Sequence, residues 1–291
     1  MTRFSVGLPQ LVDDPDVVVP YAQRAEALGF AGLWALDSAV GGPTGHATTL
    51  DGLQLLAQAA AVTRAPRLGI AVIVITRRNP ALLAKELASL DRLSGGRLTV
   101  GVGIGSSQPP PPALGFPTGG RARQLREAVE TMRALWTDTL DGARVEPKPL
   151  QQPLPVWFGA SAPPALRRAA RMADGWIGGG SSSADDFVGH VELLRGALTR
   201  DDFAIAKRVY IAVEDTEALA RERLTPVLDG MYDAPGITDR VAVCGPPERC
   251  AEELRRLIAA GAQELVLNPL YGYAEQLERL ADVARLCESG R

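Results

Sequence analysis

Hydrophobic and polar residues follow two different periods along the chain. Short apolar runs rich in branched aliphatic side chains predict buried strands. Between these runs, apolar residues recur at three- and four-residue spacing, which predicts amphipathic helices. The predicted strands cover residues 4–8, 32–37, 68–75, 98–104, 155–160, 175–177, 208–213 and 264–267.

Turn-forming residues mark the ends of the predicted helices. Asp14 precedes Pro15, and Asn79 precedes Pro80, which is the pairing of a capping residue with a first-turn proline. Gly29 follows the first periodic segment and suits the left-handed turn beyond a helix. Helices are therefore predicted over residues 18–28, 50–63, 80–93, 121–136, 163–172, 187–198, 218–228, 247–260 and 274–286.

Each predicted strand is followed by a predicted helix, and no run of strands would build a sandwich. The order predicts the α/β class and a (β/α)₈ TIM barrel, as one domain over residues 1–291. Insertions are predicted after strands two and four and around helices four and seven, at residues 38–49, 105–120, 137–152 and 230–241. An open doubly wound sheet remains the alternative, because periodicity cannot show whether a sheet closes.

Composition and charge exclude several classes of partner. The 31 Lys and Arg nearly balance the 34 Asp and Glu, and a net charge of -3 gives no attraction for nucleic acid or anionic membranes. Three cysteines without a CxxC and two histidines indicate neither a disulfide framework nor a metal site. The chain has no signal-peptide pattern, and prolines interrupt its longest uncharged run, so a cytoplasmic protein is predicted.

Candidate chemistry is expected just beyond the strands, where TIM barrels carry their active sites. Gly101, Gly103 and Gly105 recur at period two in the fourth strand, so one face of that strand has no side chains. Such a face suits a flat ligand lying against the backbone. Close packing inside the barrel, or a bulge, explains the same glycines equally well.

A second candidate is the segment 159–164, GASAPP, where a strand turns through small residues into a helix. Free amides at a helix start attract phosphate, the Ser161 hydroxyl adds a donor, and residues 178–180 supply further backbone amides. From spacing alone, a helix cap and a flexible loop are the simpler interpretation.

Few titratable side chains follow the strands. Asp37 is a candidate general base or ring-orienting group, although aspartates at strand ends often only cap loops. His46 lies in a glycine-rich loop, where it would reach a substrate or simply be solvated. Arg77 and Arg78 would meet an anionic cofactor tail or a nearby carboxylate. His190 is predicted to be a surface or packing residue of a helix.

Several segments in the same order resemble the luciferase-like family of flavin- and deazaflavin-dependent oxidoreductases. They are residues 25–30 (AEALGF), 33–37 (LWALD), 67–72 (RLGIAV), 90–98 (LDRLSGGRL), 101–105 (GVGIG), 135–137 (LWT), 155–159 (PVWFG), 167–171 (RRAAR) and 173–176 (ADGW). The resemblance covers nearly the whole chain and implies a TIM barrel that holds a flat tricyclic cofactor.

The resemblance also implies positions for the cofactor. A cis peptide bond between Ala71 and Val72 is expected against the central ring, and the phosphate is expected near residues 159–161 and 178–180. Asp37 matches a position that contacts the ring in the deazaflavin-dependent branch. The predicted cofactor-binding residues are Asp37, Ser38, Ala71, Val72, Ile73, Gly103, Gly105, Ser106, Gly159, Ala160, Ser161, Gly178, Gly179 and Gly180; Asp37 and His46 are the predicted catalytic residues.

Two departures from the family pattern bear on the reaction. Dehydrogenases of the deazaflavin branch carry a histidine and a glutamate where this chain has Ser38 and Ser106, so alcohol or sugar-phosphate oxidation is not favoured. The resemblance then implies hydride transfer from the reduced deazaflavin coenzyme F(420) to a small organic acceptor, in a homodimer. The alternatives are an FMN-dependent monooxygenase that works with a separate flavin reductase, and a non-catalytic cofactor-binding barrel. A cofactor-free isomerase or aldolase is disfavoured, because no lysine ends an evident strand.

Overall fold

A computed structural model describes residues 2–37, 49–105 and 112–289. The strands of the described chain are β1 (Arg3–Gly7), β2 (Gly32–Ala35), β3 (Arg67–Val74), β4 (Leu98–Gly103), β5 (Thr139–Leu140), β6 (Ala143–Arg144), β7 (Val156–Gly159), β8 (Gly175–Gly178), β9 (Ala204–Val213), β10 (Val243–Gly245) and β11 (Glu264–Asn268).

The α-helices of the same residues are α1 (Val18–Ala27), α2 (Gly52–Val62), α3 (Pro80–Leu93), α4 (Arg121–Thr137), α5 (Pro163–Met172), α6 (Ala184–Arg195), α7 (Glu217–Tyr232), α8 (Ile237–Val241), α9 (Pro247–Ala260) and α10 (Tyr273–Ser289). Most of them pack leucine, alanine and valine side chains against the outside of the sheet. Among these helices, none combines the length and apolar character that crossing a membrane requires.

Eight parallel strands form a closed barrel, in the order β9, β11, β1, β2, β3, β4, β7, β8. The ring closes because β8 pairs with β9, with Gly178 opposite Lys207. This closure confirms the (β/α)₈ prediction, and the open-sheet alternative is wrong. Strand β10 extends β9 outside the ring, and β5 with β6 forms a separate antiparallel pair.

The interior of the barrel below its carboxyl end is filled by side chains. Trp34 and Trp157 pack with their ring centroids 5.5 Å apart, and with Val266 and neighbouring small residues they form a buried cluster. Beneath them, the Glu264 carboxylate accepts hydrogen bonds from Ser5 Oγ and Trp34 Nε1, both at 2.8 Å. The amino-terminal half of the barrel is therefore a packed core and not a channel, as expected for this fold.

Several boundaries differ from the prediction for identifiable reasons. Strand β9 starts at Ala204, four residues before the predicted start. The prediction missed its first half because alanine and lysine are weak strand formers. Helix α6 starts at Ala184, three residues before the predicted start at residue 187. Ser183 and Asp186 form a capping box at this end of the helix, which the prediction did not recognise. Helix α7 continues through Pro226 to Tyr232.

Candidate functional site

A cavity of about 470 Å³ opens at the carboxyl end of the barrel strands. Its size lies within the range of small-molecule sites, roughly 300 to 1,000 Å³. The bulge inside β3, the carboxyl ends of β4, β7 and β8 and the segments that follow these three strands supply most of the wall. Single side chains from α4, α5, α7 and β9 complete it. The lining residues are 71–72, 103–105, 159–162 and 177–182, with Arg121, Ala165, Arg208 and Tyr232.

The apolar wall is built around a bulge in β3. The Ala71–Val72 peptide bond is cis, as the family resemblance implied, and the pairing of β3 with β4 shifts between Ile70 and Ile73. Both Ala71 and Val72 line the cavity. Ile73, which was predicted beside them, is instead fully buried in the core and does not line the cavity.

The glycines of β4 and β7 make room for the Val72 side chain. A Cβ atom on Gly103 would lie 2.7 Å from Val72 Cγ2, and one on Gly159 would lie 2.8 Å from Val72 Cγ1. On Gly101 it would lie 2.2 Å from the Ile70 carbonyl oxygen. Close packing around the bulge therefore explains these glycines, while Gly103 and Gly105 also reach the cavity wall.

The start of α5 offers fewer amide donors than its sequence suggests. Pro163 and Pro164 occupy the first helical positions and have no amide proton. The Ala165 amide already donates to the Ala162 carbonyl at 2.9 Å. An anion at this place would therefore be bound by the Ser161 hydroxyl and the amides that precede the prolines.

The loop 178–182 is held from behind by a buried lysine. Lys207 is 3% exposed, and its Nζ donates to the Gly179 and Ser182 carbonyls at 2.6 and 2.8 Å and to Ser182 Oγ at 2.7 Å. Burial and the neighbouring Arg208 charge lower the pKa of Lys207 to about 7. Lys207 thus fixes the position of a loop whose other side forms the cavity wall.

Replacing Lys207 with methionine is expected to change how stability depends on pH. A lysine whose pKa is lowered from 10.5 to about 7 on folding binds fewer protons in the folded chain than in the unfolded chain. The free energy of unfolding of the wild type should therefore rise between these two pH values, and Lys207→Met should lose this contribution. Urea unfolding of both proteins at several pH values within the interval measures the difference.

Lys85→Met is the matched control, because the exposed Lys85 also donates to a backbone carbonyl, that of Glu146 at 2.8 Å. Its pH dependence should follow the wild type. Equal slopes for the wild type and Lys207→Met would contradict an effect of burial on the Lys207 ammonium.

A cationic and aromatic group forms part of the cavity wall opposite the bulge. Arg208 Nη2 donates to the Tyr210 hydroxyl at 2.8 Å, and the guanidinium lies over the Tyr210 ring, 4.7 Å from its centroid. The Tyr210 and Tyr232 hydroxyls are 2.8 Å apart. Burial raises the pKa of Tyr210, so this hydroxyl stays neutral. A Cβ atom on Gly180 would lie 2.5 Å from the Tyr210 ring, which accounts for glycine there.

Asp37 lies beside the bulge but does not line the cavity. Its carboxylate accepts hydrogen bonds from the Val74 amide at 2.9 Å and from Arg78 Nη2 at 2.6 Å, and its side chain is 5% exposed. These contacts fix the chain that follows Val72. Of the arginine pair considered in the sequence, Arg78 therefore meets a carboxylate, while Arg77 lies 5.4 Å from the Phe116 ring centroid.

The structure brings together most of the predicted cofactor residues. Ala71, Val72, Gly103, Gly105, Gly159, Ala160, Ser161, Gly178, Gly179 and Gly180 all line one cavity. Ser38, His46 and Ser106 lie outside the described residues. His190 packs its ring edge against Trp176, consistent with its predicted packing role. Among residues 2–37, 49–105 and 112–289, no group of histidine, cysteine and acidic side chains is suited to hold a metal.

Sequence reasoning missed Arg121, Arg208 and Tyr232. Arg208 follows the inward-facing Ala204 and Ala206 at period two, so the correct start of β9 would have placed it inside the barrel. Arg121 and Tyr232 lie at the ends of long helices. The helical spacing of apolar residues does not show that these two side chains reach the mouth of the barrel.

Comparison with known proteins identifies relatives of the chain. An uncharacterised protein of Mycobacterium tuberculosis, Rv0953c, is 43% identical over 140 residues, which are 44% of this chain and 50% of the relative. The F420-dependent glucose-6-phosphate dehydrogenase of Beutenbergia cavernae is 35% identical over 178 residues, 56% of this chain and 52% of the relative. The matches span about half the length of these curated relatives.

Solved structures share the whole fold. An F420-dependent secondary alcohol dehydrogenase in complex with an F420–acetone adduct has a TM-score of 0.83 at 20% identity, over 98% of this chain and 99% of that one. The monooxygenase RslO1 from Streptomyces bottropensis has a TM-score of 0.82 at 20% identity, over all of both chains.

A family model described as luciferase-like monooxygenase matches residues 1–238. The chain therefore belongs to the luciferase-like monooxygenase family.

Proposed function

We propose that the protein is an oxidoreductase that binds the deazaflavin coenzyme F420 in the cavity and transfers hydride from it to a small organic acceptor. Family membership supports redox chemistry, and the F420-dependent relative and structural neighbour support the deazaflavin. The observation that carries the proposal is the cavity itself, since one mouth combines an apolar wall at Ala71–Val72 with backbone amides and two arginines.

The residues of the cavity fit a planar ring with an anionic tail. Ala71, Val72 and Ile177 provide apolar contact for a ring, while Ser161 and the loop 178–182 provide hydroxyl and amide donors for a phosphate. Arg121 and Arg208 add positive charge, and no Asp or Glu lines the described part of the cavity. The arrangement therefore favours an anionic ligand over a neutral or cationic one.

A bound deazaflavin supplies the carbon that carries the hydride, and the chain supplies orientation and electrostatics. Val72 packs between Gly103 and Gly159 and so gives the wall a fixed shape. Asp37 positions the chain after Val72 through the Val74 amide. No histidine or carboxylate lines the described cavity wall, and His46 remains the proposed proton donor.

An FMN-dependent monooxygenase supplied by a separate flavin reductase is the second candidate. The observation in its favour is the serine pair Ser38 and Ser106, which replaces the histidine and glutamate of the deazaflavin-dependent dehydrogenases. The monooxygenase neighbour supports it as well. A non-catalytic cofactor-binding barrel is the third, and turnover of any acceptor would exclude it.

Titration of the purified protein with F420 and with FMN, followed by fluorescence, separates these candidates. The proposal predicts tight binding of F420 and oxidation of reduced F420 when a suitable acceptor is added. Tight FMN binding without any response to F420 would contradict it. Oxygen uptake coupled to substrate conversion with reduced FMN would establish the monooxygenase instead.

Gly179→Val tests whether the cofactor occupies this cavity. A Cβ atom on Gly179 would meet only Ser181 Oγ, at 3.8 Å, so valine fits the folded chain but takes space in the cavity. The affinity of the variant for the cofactor should fall by about tenfold or more, which corresponds to a loss of about 1.4 kcal/mol of binding free energy. Gly119→Val is the matched control, because its Cβ would meet nothing within 4 Å and Gly119 lies outside the cavity. Equal binding by both variants would place the cofactor elsewhere.

The remaining sequence predictions extend the proposal. We propose a single domain over residues 1–291, a homodimer, a small-molecule substrate, and no nucleic-acid or membrane partner. Light scattering of the purified protein measures the dimer, and a monomer at all concentrations would contradict it. The cytoplasmic location stays a prediction.

A further inference from the structure

Arg208 is a buried charged residue that has no acidic partner in the described chain. Its side chain is 8% exposed. Glu264 and Glu214, by comparison, are buried carboxylates that pair with Arg3 and Arg223. None of the ion pairs between described residues includes Arg208, and its Nε has no hydrogen-bond partner there.

The contacts of Arg208 fix its orientation without neutralising its charge. Nη2 donates to the Tyr210 hydroxyl at 2.8 Å, and that hydroxyl contacts the Tyr232 hydroxyl. The Tyr210 hydroxyl that accepts this hydrogen bond is neutral, and the Tyr210 ring contributes only a cation–π contact. The guanidinium is thus held against the cavity wall with its full positive charge.

An uncompensated charge of this kind is costly in a folded protein. Buried charges are normally paired, because removal from water penalises an isolated ion. The adjacent Lys207 provides no compensating negative charge, because it too is a basic residue. A negatively charged group in the cavity would compensate this cost, and the chain itself provides no such group on the described wall.

We propose that Arg208 binds an anionic oxygen group, a phosphate or a carboxylate, of the molecule that occupies the cavity. The planar guanidinium matches the two oxygens of such a group, and its pre-set orientation reduces the entropy lost on binding. Anion binding at Arg208 is independent of the reaction proposed above, because it concerns only the charge of the ligand.

The test compares the wild type with Arg208→Gln in the absence and presence of ligand. Without ligand, the variant should melt at the same or a higher temperature, because it loses an unpaired buried charge. Inorganic phosphate should raise the melting temperature of the wild type and have little effect on the variant. A purely structural role predicts the reverse, namely a less stable variant with an unchanged response to phosphate, and that result would overturn the proposal.

Arg67→Gln is the matched control, because Arg67 is also an inward-facing arginine but lies away from the cavity. Arg67 Nη2 donates to Thr99 Oγ1 at 2.5 Å, and its guanidinium lies 5.7 Å from the Trp157 ring centroid. Arg67→Gln should lose stability and keep the wild-type response to phosphate. A phosphate response lost equally in both variants would contradict a site at Arg208.

Two further ligands identify where the anionic group comes from. If it belongs to the cofactor, Arg208→Gln should weaken F420 binding by about tenfold or more and leave binding of the phosphate-free deazariboflavin part of F420 unchanged. If it belongs to a separate substrate, both deazaflavins should bind as in the wild type, and phosphate should still stabilise only the wild type. Should no cofactor bind the wild type, the proposed oxidoreductase fails, while the phosphate measurement still decides the role of Arg208.

Discussion

Replacing Gly101 with alanine is expected to destabilise the protein by about 3 kcal/mol or more, a value typical of severe overpacking. The new Cβ would lie 2.2 Å from the Ile70 carbonyl oxygen. That neighbour is backbone in the adjacent strand β3, so no side-chain rotation relieves the clash. Either β3 and β4 must separate or the bulge at Ala71–Val72 must move. Chemical denaturation of both proteins measures the loss.

Gly189→Ala provides the matched control for this glycine substitution. Gly189 lies inside α6, and its Cβ would meet nothing within 4 Å. Alanine there should stabilise the protein by about 1 kcal/mol, the difference in helix propensity between the two residues. If Gly101→Ala is as stable as the wild type, the close approach of β3 and β4 is wrong.

Asp37→Ala is expected to cost about 3 kcal/mol, as does the breaking of other buried ion pairs. The substitution leaves the Arg78 guanidinium without its closest carboxylate and the Val74 amide without an acceptor. Because Val74 follows the bulge directly, we also expect weaker cofactor binding. Thermal unfolding and cofactor titration of the same samples measure the two effects together.

Asp215→Ala is the control for the loss of an aspartate–arginine contact at the surface. Asp215 pairs with Arg279 at 3.0 Å but is 83% exposed, so the cost should be below about 1 kcal/mol. Asp37→Asn then separates the two possible roles of Asp37. A positioning residue predicts parallel losses of stability and binding, whereas a proton-transferring residue predicts lost turnover with binding and stability retained.

The fold was largely predictable because the barrel strands are buried on both faces and most of them read as short apolar runs. Strand β3 illustrates this, since seven of its eight residues are apolar. Closure was not predictable from periodicity, because it depends on the long-range pairing of β8 with β9. Strand β10 was missed because its three residues are too short for any pattern.

The candidate site was predictable where it depends on backbone and less so where it depends on side chains. Segments of small residues after β7 and β8 pointed to the cavity from spacing and from the family resemblance. The glycines of β4 were ambiguous, because only coordinates show that Val72 occupies the space beside Gly103 and Gly159. Arg208 was missed because the predicted strand started at residue 208. Without the preceding residues 204–207, the sequence did not show that the Arg208 side chain points into the barrel.

The packed lower half of the barrel has a consequence for kinetics. Trp34 and Trp157, above the Glu264 carboxylate, leave no passage through the described part of the barrel axis. Two reactants that share the cavity are then expected to enter from the carboxyl end of the barrel, and we predict that the one that binds deeper arrives first and departs last. Steady-state measurements with both reactants varied should show a compulsory order of addition rather than a random one.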